Sequence, residues 1–356
     1  MALDRISLTS FRNHAATDLE GTAQFNLLVG ENGAGKTNVL EALSLLAPGR
    51  GLRRAPLGDM AGSEGPGGFA VGASLAFASD SVRLGTLTDP ARPTRRLVRI
   101  NGADASALAL GEWLAISWLT PAMDGLFTDS ASARRRWLDR MAVGLDASHA
   151  RHATRYEAAL RERNRLMGGE AAPDPLWLDG IEAQMAEAGE ALAEGRLRLL
   201  AGLSDELSGV PQEPFARPEL VLVPGGEPRA DILRAARGTD RAAGRTLSGP
   251  HRDDLAVTMA GKGQPAGLCS TGEQKAMLIA ITLAHAALAA RGRASVLLLD
   301  EVAAHLDPVR RAALYERLAA SGTQVWMTGT ELAPFDGLTG EATIWRVSGG
   351  ALARAS

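Results

Sequence analysis

The chain has 356 residues, 46% of them hydrophobic and only 4% aromatic, with a formal net charge of −3 and one cysteine, Cys269. That length supports one large domain with an inserted lobe, or two domains. The few aromatics exclude base-stacking platforms as the main binding device, the small net charge excludes a uniformly cationic surface, so that any nucleic-acid contact rests on local patches, and a lone thiol excludes internal disulfides, as expected in a reducing cytoplasm.

The N-terminal stretch MALDRISLTSFRNH lacks the long apolar core of a signal peptide. The most apolar long stretch, 276–290, is too short to cross a bilayer and carries His285, so it predicts a buried helix and a cytoplasmic chain. FNLLV at 25–29 predicts a buried strand, followed by a glycine-rich loop and a helix over 36–46. Residues 61–100 are glycine-rich with β-like runs at 69–77 and 81–88, which predict a small antiparallel sheet. The composition changes near Trp118. From 132 to 203 the chain is rich in Ala, Arg, Glu and Leu, a helical texture that Pro173 and Pro175 divide into at least two long helices. The Pro- and Gly-rich stretch 208–230 predicts a connector. Strand–loop–helix alternation returns from Thr246. The expected fold is α/β, with a mixed sheet split between 1–117 and 231–356 and a helical lobe inserted at 118–230, without room for a long coiled coil.

Gly30-Glu31-Asn32-Gly33-Ala34-Gly35-Lys36-Thr37 matches G-x-x-x-x-G-K-[ST] and lies between a predicted strand and helix. Such a loop curls backbone N–H groups around the phosphates of ATP at a helix N-terminus, where the dipole favours an anion. Lys36 is placed to neutralise phosphate charge and the Thr37 hydroxyl to bind Mg²⁺. Val296-Leu297-Leu298-Leu299-Asp300-Glu301 is an apolar strand that ends in two acids. Asp300 is placed for the Mg²⁺ shell and Glu301 to polarise an attacking water. Read alone, the segment is equally a buried strand with a polar end.

Ser270-Thr271-Gly272-Glu273-Gln274 opens the apolar helix and fits an S-x-x-E capping box. It also resembles the signature motif of ABC ATPases, which implies that Ser270, Gly272 and Gln274 bind the γ-phosphate held by a second subunit. Asp307 resembles the D-loop aspartate of that family, and Asp307-Pro308 is equally a good helix start. The switch position, a histidine in many ABC ATPases, falls at Thr328, which leaves the γ-phosphate sensor open and implies slow turnover.

The phrase Ile6-Ser7-Leu8-Thr9-Ser10-Phe11-Arg12-Asn13-His14, with E-N-G-A-G-K-T-N-V-L-E-A in the loop, resembles the SMC and RecF branch of these ATPases. Only 234 residues separate Lys36 from Ser270, too few for SMC arms. Arg134-Arg135-Arg136-Trp137-Leu138-Asp139, Tyr156…Arg163-Asn164-Arg165-Leu166 and Gly249-Pro250-His251-Arg252-Asp253-Asp254 resemble phrases of the RecF family. Asp300-Glu301 departs from it, since many members look like Asp-Asp there, and Cys269 replaces a more usual aromatic or leucine. The resemblance implies a slow, DNA-stimulated ATPase that dimerises on ATP and binds single-stranded gaps and ss/dsDNA junctions. It further implies that the chain acts with RecR and RecO to load RecA. It places Arg12 near the nucleotide phosphates.

For DNA, the candidate contacts are Arg53, Arg54, Arg134 and Arg135, with Arg50, Arg136 and the arginines at 151, 155, 161, 163 and 165 as further basic positions. Glu157 and Glu162 interrupt the last group, as on any solvated helix face. His251 and Arg252 are expected to be internal. A transport ATPase subunit is the alternative, and it requires a glutamine lid motif and a switch histidine that the sequence does not show.

Overall fold

The structure, a computed structural model, describes residues 2–62, 65, 67–76, 80–169, 171, 173–211, 213–338 and 340–355. In chain order the first segment forms β1 (Ala2–Phe11), β2 (His14–Glu20), β3 (Phe25–Val29), α1 (Lys36–Ser44), β4 (Ala70–Ala76), β5 (Ser81–Asp89), β6 (Arg92–Ile100), β7 (Ala103–Ala105), α2 (Leu110–Trp113) and β8 (Leu114–Leu119). The middle forms α3 (Ala131–Leu145), α4 (Ser148–Met167), α5 (Pro175–Ser208), β9 (Pro218–Val223), α6 (Ala230–Ala235), α7 (Arg237–Ala243), β10 (Asp254–Met259) and β11 (Gln264–Pro265). The rest forms α8 (Thr271–Ala289), β12 (Ala294–Leu299), α9 (Pro308–Ser321), β13 (Gln324–Gly329), β14 (Ala342–Ser348) and β15 (Ala351–Arg354).

Two compact units result. The first comprises Met1–Asp124, Pro211–Phe215 and Lys275–Ser356; the second comprises Gly125–Val210 and Ala216–Gln274. These borders differ from the expected 117/118 and 230/231. Strand β8 runs across 117/118 and pairs along its length with β12, which ties 118–119 to the first unit. Strand β10 pairs with β9, which ties 254–259 to the second.

In the first unit a mixed sheet has the order β15-β14-β3-β13-β12-β8, with β14, β3, β13, β12 and β8 mutually parallel and β15 antiparallel. Every residue of β3, β8, β12 and β13 is buried, the pattern of strands covered on both faces. A six-stranded antiparallel sheet, β2-β1-β4-β5-β6-β7, carries the expected hairpins. Its alternating strands, such as β4, turn one face to a shared core with α1 that includes Leu8, Val39, Leu43, Val71 and Leu298. Residue 77, at the end of one expected β run, lies outside the described residues.

In the second unit the expected two or more long helices are three, α3, α4 and α5, with the Pro173–Pro175 break between α4 and α5. Pro175 starts α5 at its first position while the Asp174 carboxylate accepts from Leu176 N at 2.8 Å. Tyr156, Ala159, Ile181, Met185, Ala188, Leu192 and Leu233 form its core. The expected connector over 208–230 contains β9, since the ELVLV run pairs with β10 despite the prolines around it. Among the described residues no helix is long and apolar enough to cross a membrane.

Candidate functional site

Topology brings the two halves of the nucleotide motifs together. Strand β13 lies between β3 and β12, with Gly329 opposite Val29 and Met327 opposite Leu299. The phosphate loop leaves β3, the acids leave β12 and Thr328 sits near the end of β13. All three therefore emerge at the carboxyl ends of adjacent parallel strands, where open α/β sheets place their chemistry.

The loop's path depends on its glycines. Gly35 stands before α1 with φ 115°, a conformation that only glycine takes readily, and no side chain caps the helix. A Cβ there would come within 2.7 Å of Asn13 and 2.9 Å of His14, so any side chain would collide. At Gly30 a Cβ would meet the Val347 carbonyl at 2.2 Å. The loop carbonyls are held from behind: Asn13 Nδ2 donates to Ala34 O at 3.0 Å, and His14 Nε2 lies 3.1 Å from Gly35 O. Asn38 N and Val39 N donate to Gly35 O at 3.0 and 3.3 Å, and the uncapped start of α1 presents a dipole that favours an anion.

Lys36 is 5% exposed; its Nζ donates to Gly30 O at 2.6 Å and Glu31 O at 3.0 Å and lies 3.6 Å from Glu301 Oε1. Thr37 Oγ1 donates to Asp300 Oδ1 at 2.9 Å. Because that proton is committed, the Thr37 oxygen keeps its lone pairs for a cation. A cavity of about 530 Å³ opens here, and Asn32, Gly33, Gly35, Lys36, Thr37 and Glu301 are among its lining residues. Arg53, expected as a DNA contact, and Pro121 also line it.

Arg12, expected near the nucleotide phosphates, is held on the phosphate-loop helix. Its Nε and Nη2 donate to the two oxygens of Glu41 at 2.9 Å each, and its Nη1 donates to Asp59 O at 2.7 Å. Arg12 is not among the cavity-lining residues. Arg53 joins it on Glu41, at 2.7 Å, and also reaches Asn38 Oδ1 at 2.7 Å. Glu41 is fully buried. One carboxylate on the phosphate-loop helix thus holds an arginine from each side.

The chain matches the RecF/RecN/SMC N terminal domain family over residues 2–332. It is 46% identical to the DNA replication and repair protein RecF of Brucella suis over 99% of this chain and 96% of that protein. It is also 46% identical to that of Rhizobium rhizogenes, over 99% and 98%. The chain belongs to the RecF family. Among solved structures it resembles one described as the recombination mediator protein RecF-ATPrS in the RecFOR pathway, with TM-score 0.87, 21% identity and coverage of 99% of this chain and 98% of that one. An Smc head domain from Pyrococcus furiosus shares the fold more loosely, with TM-score 0.55 at 16% identity, covering 99% of this chain and 96% of that one.

The candidate signature and D-loop residues have distinct surroundings. Ser270 and Gly272 are exposed and Gln274 is buried, with its Nε2 donating to Cys269 O at 2.9 Å. The capping box is present: Glu273 N donates to Ser270 Oγ at 3.3 Å, and Ser270 N donates to Glu273 Oε2 at 2.9 Å. Lys262 and the Ser270 backbone and hydroxyl draw the Glu273 carboxyl down to about 2. Asp307 caps α9, accepting from Arg310 N at 2.9 Å.

Several basic positions are committed within their units. Arg134 pairs bidentately with Asp254, at 2.7 Å to each oxygen, and Arg135 Nη1 donates to Asp253 O at 2.6 Å. Arg163 is wholly buried and donates to Glu182, Asp240, Thr246 Oγ1 and Leu233 O at 2.6–3.0 Å. Arg155 and Arg165 pair with Glu187 and Glu162. Arg54 sits in the left-handed region at φ 56°. Arg252, expected to be internal, is exposed; its neighbour Asp253 is the buried group and accepts from Arg196 Nη1 at 2.7 Å. His251 is largely shielded, with Nε2 3.1 Å from Thr246 O and Nδ1 2.8 Å from Tyr156 Oη. Burial pushes its pKa below the usual value.

Proposed function

We propose that this chain binds ATP with Mg²⁺ in the phosphate-loop cavity, dimerises through it and acts on DNA in recombinational repair. The observation that carries the reading is the cavity itself. It combines an uncapped helix N-terminus, Lys36, Thr37 and Glu301 in about 530 Å³, a size suited to a small-molecule ligand. Solved relatives of this fold described as RecF-ATP and RecF-ATPrS support the choice of nucleotide.

The residues fit the metal. Thr37 Oγ1 and the Asp300 carboxylate are hard oxygen donors 2.9 Å apart, the donor type Mg²⁺ selects. Bound there, the ion neutralises phosphate charge. Lys36 and the backbone N–H groups of the loop orient the phosphates, and Glu301 orients the attacking water. Ser270 and Gly272, exposed at the start of α8, offer donors to the nucleotide of a second copy, with Gln274 buried behind them. Asp307 stands at the start of α9 as the D-loop counterpart. Turnover is slow and DNA-stimulated.

RecF relatives are repair proteins by name, and one is described within the RecFOR pathway, which supports DNA as the substrate and RecR, RecO and RecA as partners. Single-stranded gaps and ss/dsDNA junctions are the preferred DNA. The transport ATPase reading is not favoured, since the relatives matched along nearly the full chain are repair proteins.

The test is DNA binding by Glu301→Gln to a gapped duplex, with ATP and with ADP, at two salt concentrations, while mass is recorded. The expected result is salt-sensitive binding by a dimer with ATP alone. Dimerisation without DNA affinity removes the repair reading, and Ser270→Arg that still dimerises on ATP removes the role of the signature residues.

A further inference from the structure

Thr328 occupies a place that the nucleotide reading does not use. It is 1% exposed, near the end of β13, and its hydroxyl makes two bonds of opposite sense. Oγ1 donates to Asp300 Oδ1 at 2.8 Å and accepts from Glu301 N at 2.9 Å. A threonine hydroxyl has one proton and two lone pairs, so it can do both at once. Asp300 Oδ1 also accepts from Thr37 Oγ1 at 2.9 Å, so that a single carboxylate oxygen links two hydroxyls.

The second partner is the telling one. Glu301 has φ 55°, in the left-handed region that a residue with a Cβ adopts only when its surroundings hold it there. The strand ladder ends at Leu299, paired with Met327, so beyond it Glu301 N takes its acceptor from a side chain. From that turn the Glu301 side chain lines the cavity, with Oε1 3.6 Å from Lys36 Nζ. Strand β13 is itself tied to the phosphate loop, since Gly30 N donates to Gly329 O at 3.3 Å. Thr328 therefore lies at the junction of the loop, the metal-side carboxylate and the water-side carboxylate.

We propose that Thr328 is a positioning residue: its hydroxyl bridges Asp300 to the backbone of Glu301 and fixes where the Glu301 carboxylate stands at the cavity. This rests on the hydrolytic reading given above. Serine keeps both bonds, whereas valine keeps the shape and loses both.

The test compares Thr328→Val and Thr328→Ser with the parent in two measurements. The first is amide hydrogen exchange at Glu301 in the nucleotide-free protein. Thr328→Val is expected to speed it by about tenfold, the loss of one net hydrogen bond, and Thr328→Ser to leave it near the parent. The second is steady-state hydrolysis beside equilibrium ATP binding. In Thr328→Val kcat is expected to fall by about 10- to 100-fold, the scale of a misplaced catalytic group, while ATP affinity stays within about threefold and Thr328→Ser recovers the rate. In a Glu301→Gln background Thr328→Val is expected to add less than about twofold, since both changes act through one group. Unchanged exchange at Glu301, or a loss of ATP affinity in step with kcat, overturns the proposal; the latter puts Thr328 on the nucleotide. If Glu301→Gln alone hydrolyses ATP at the parent rate, the hydrolytic reading fails, and the exchange comparison still decides the bridge. Thr328→Ala carries the same expectations should the valine variant not fold.

Discussion

Removing the Arg12 side chain asks whether that arginine serves the nucleotide or the phosphate-loop helix. Arg12→Ala deletes two charge-assisted bonds to Glu41, at 2.9 Å each, and one to Asp59 O at 2.7 Å. Glu41 is fully buried and is left with the Arg53 Nη1 bond at 2.7 Å. Breaking a buried ion pair by deleting one partner costs about 3–5 kcal/mol, because the surviving charge stays out of water. Arg53 remains to compensate part of it, but its side chain is 39% exposed and correspondingly screened. The expected loss is about 3 kcal/mol, concentrated in α1, with ATP affinity lowered only as far as the loop loosens. Because the chain has two compact units, the readout is amide exchange along Lys36–Ser44 together with urea unfolding rather than a single two-state midpoint. A loss below about 1 kcal/mol with α1 protection unchanged refutes the anchoring role. A fall of about 100-fold or more in ATP affinity at parental stability (on the order of 2.7 kcal/mol) places Arg12 on the nucleotide instead.

Lys36→Ala removes the loop's only side-chain cation facing Glu301 and is expected to abolish ATP binding in a calorimetric titration; unchanged affinity refutes the phosphate-loop assignment. Arg163→Met takes the Arg163 bond from buried Asp240 and leaves buried Glu182 with its Arg237 pair, and should destabilise the second unit by about 3–5 kcal/mol, read by thermal unfolding. DNA affinity lost at full stability would instead return Arg163 to the basic-face reading. Glu273, drawn from 4.5 to about 2, stabilises the folded start of α8 at pH above 4.5. That contribution drains away as the pH falls from 4.5 towards 2. A carboxyl titration by NMR should give a midpoint well below 4.5, moving upward in Lys262→Ala, and a parental midpoint near 4.5 would contradict it.

Local chemistry determined much of this protein from sequence alone. The apolar runs of β3 and β12, the glycines of the loop, the Ser270–Glu273 box and the Asp307-Pro308 start are encoded within a few residues each, and each takes in the structure the local form its sequence dictates. The placement of side chains across long separations was a different matter. The family resemblance sets Arg12 near the phosphates, and only the fold shows Glu41, 29 positions away, buried beside it. Arg163 sits among exposed arginines in sequence, yet meets Asp240, 77 positions on, in the interior. Thr328 reads as a missing histidine until β13 is seen to lie between β3 and β12, which sets its hydroxyl between the two acids. Periodicity shows which face of an element is apolar, but a charged side chain is placed by whichever partner the topology brings within 3 Å. That decision belongs to the strand order and the packing of the helices, not to any local stretch of chain.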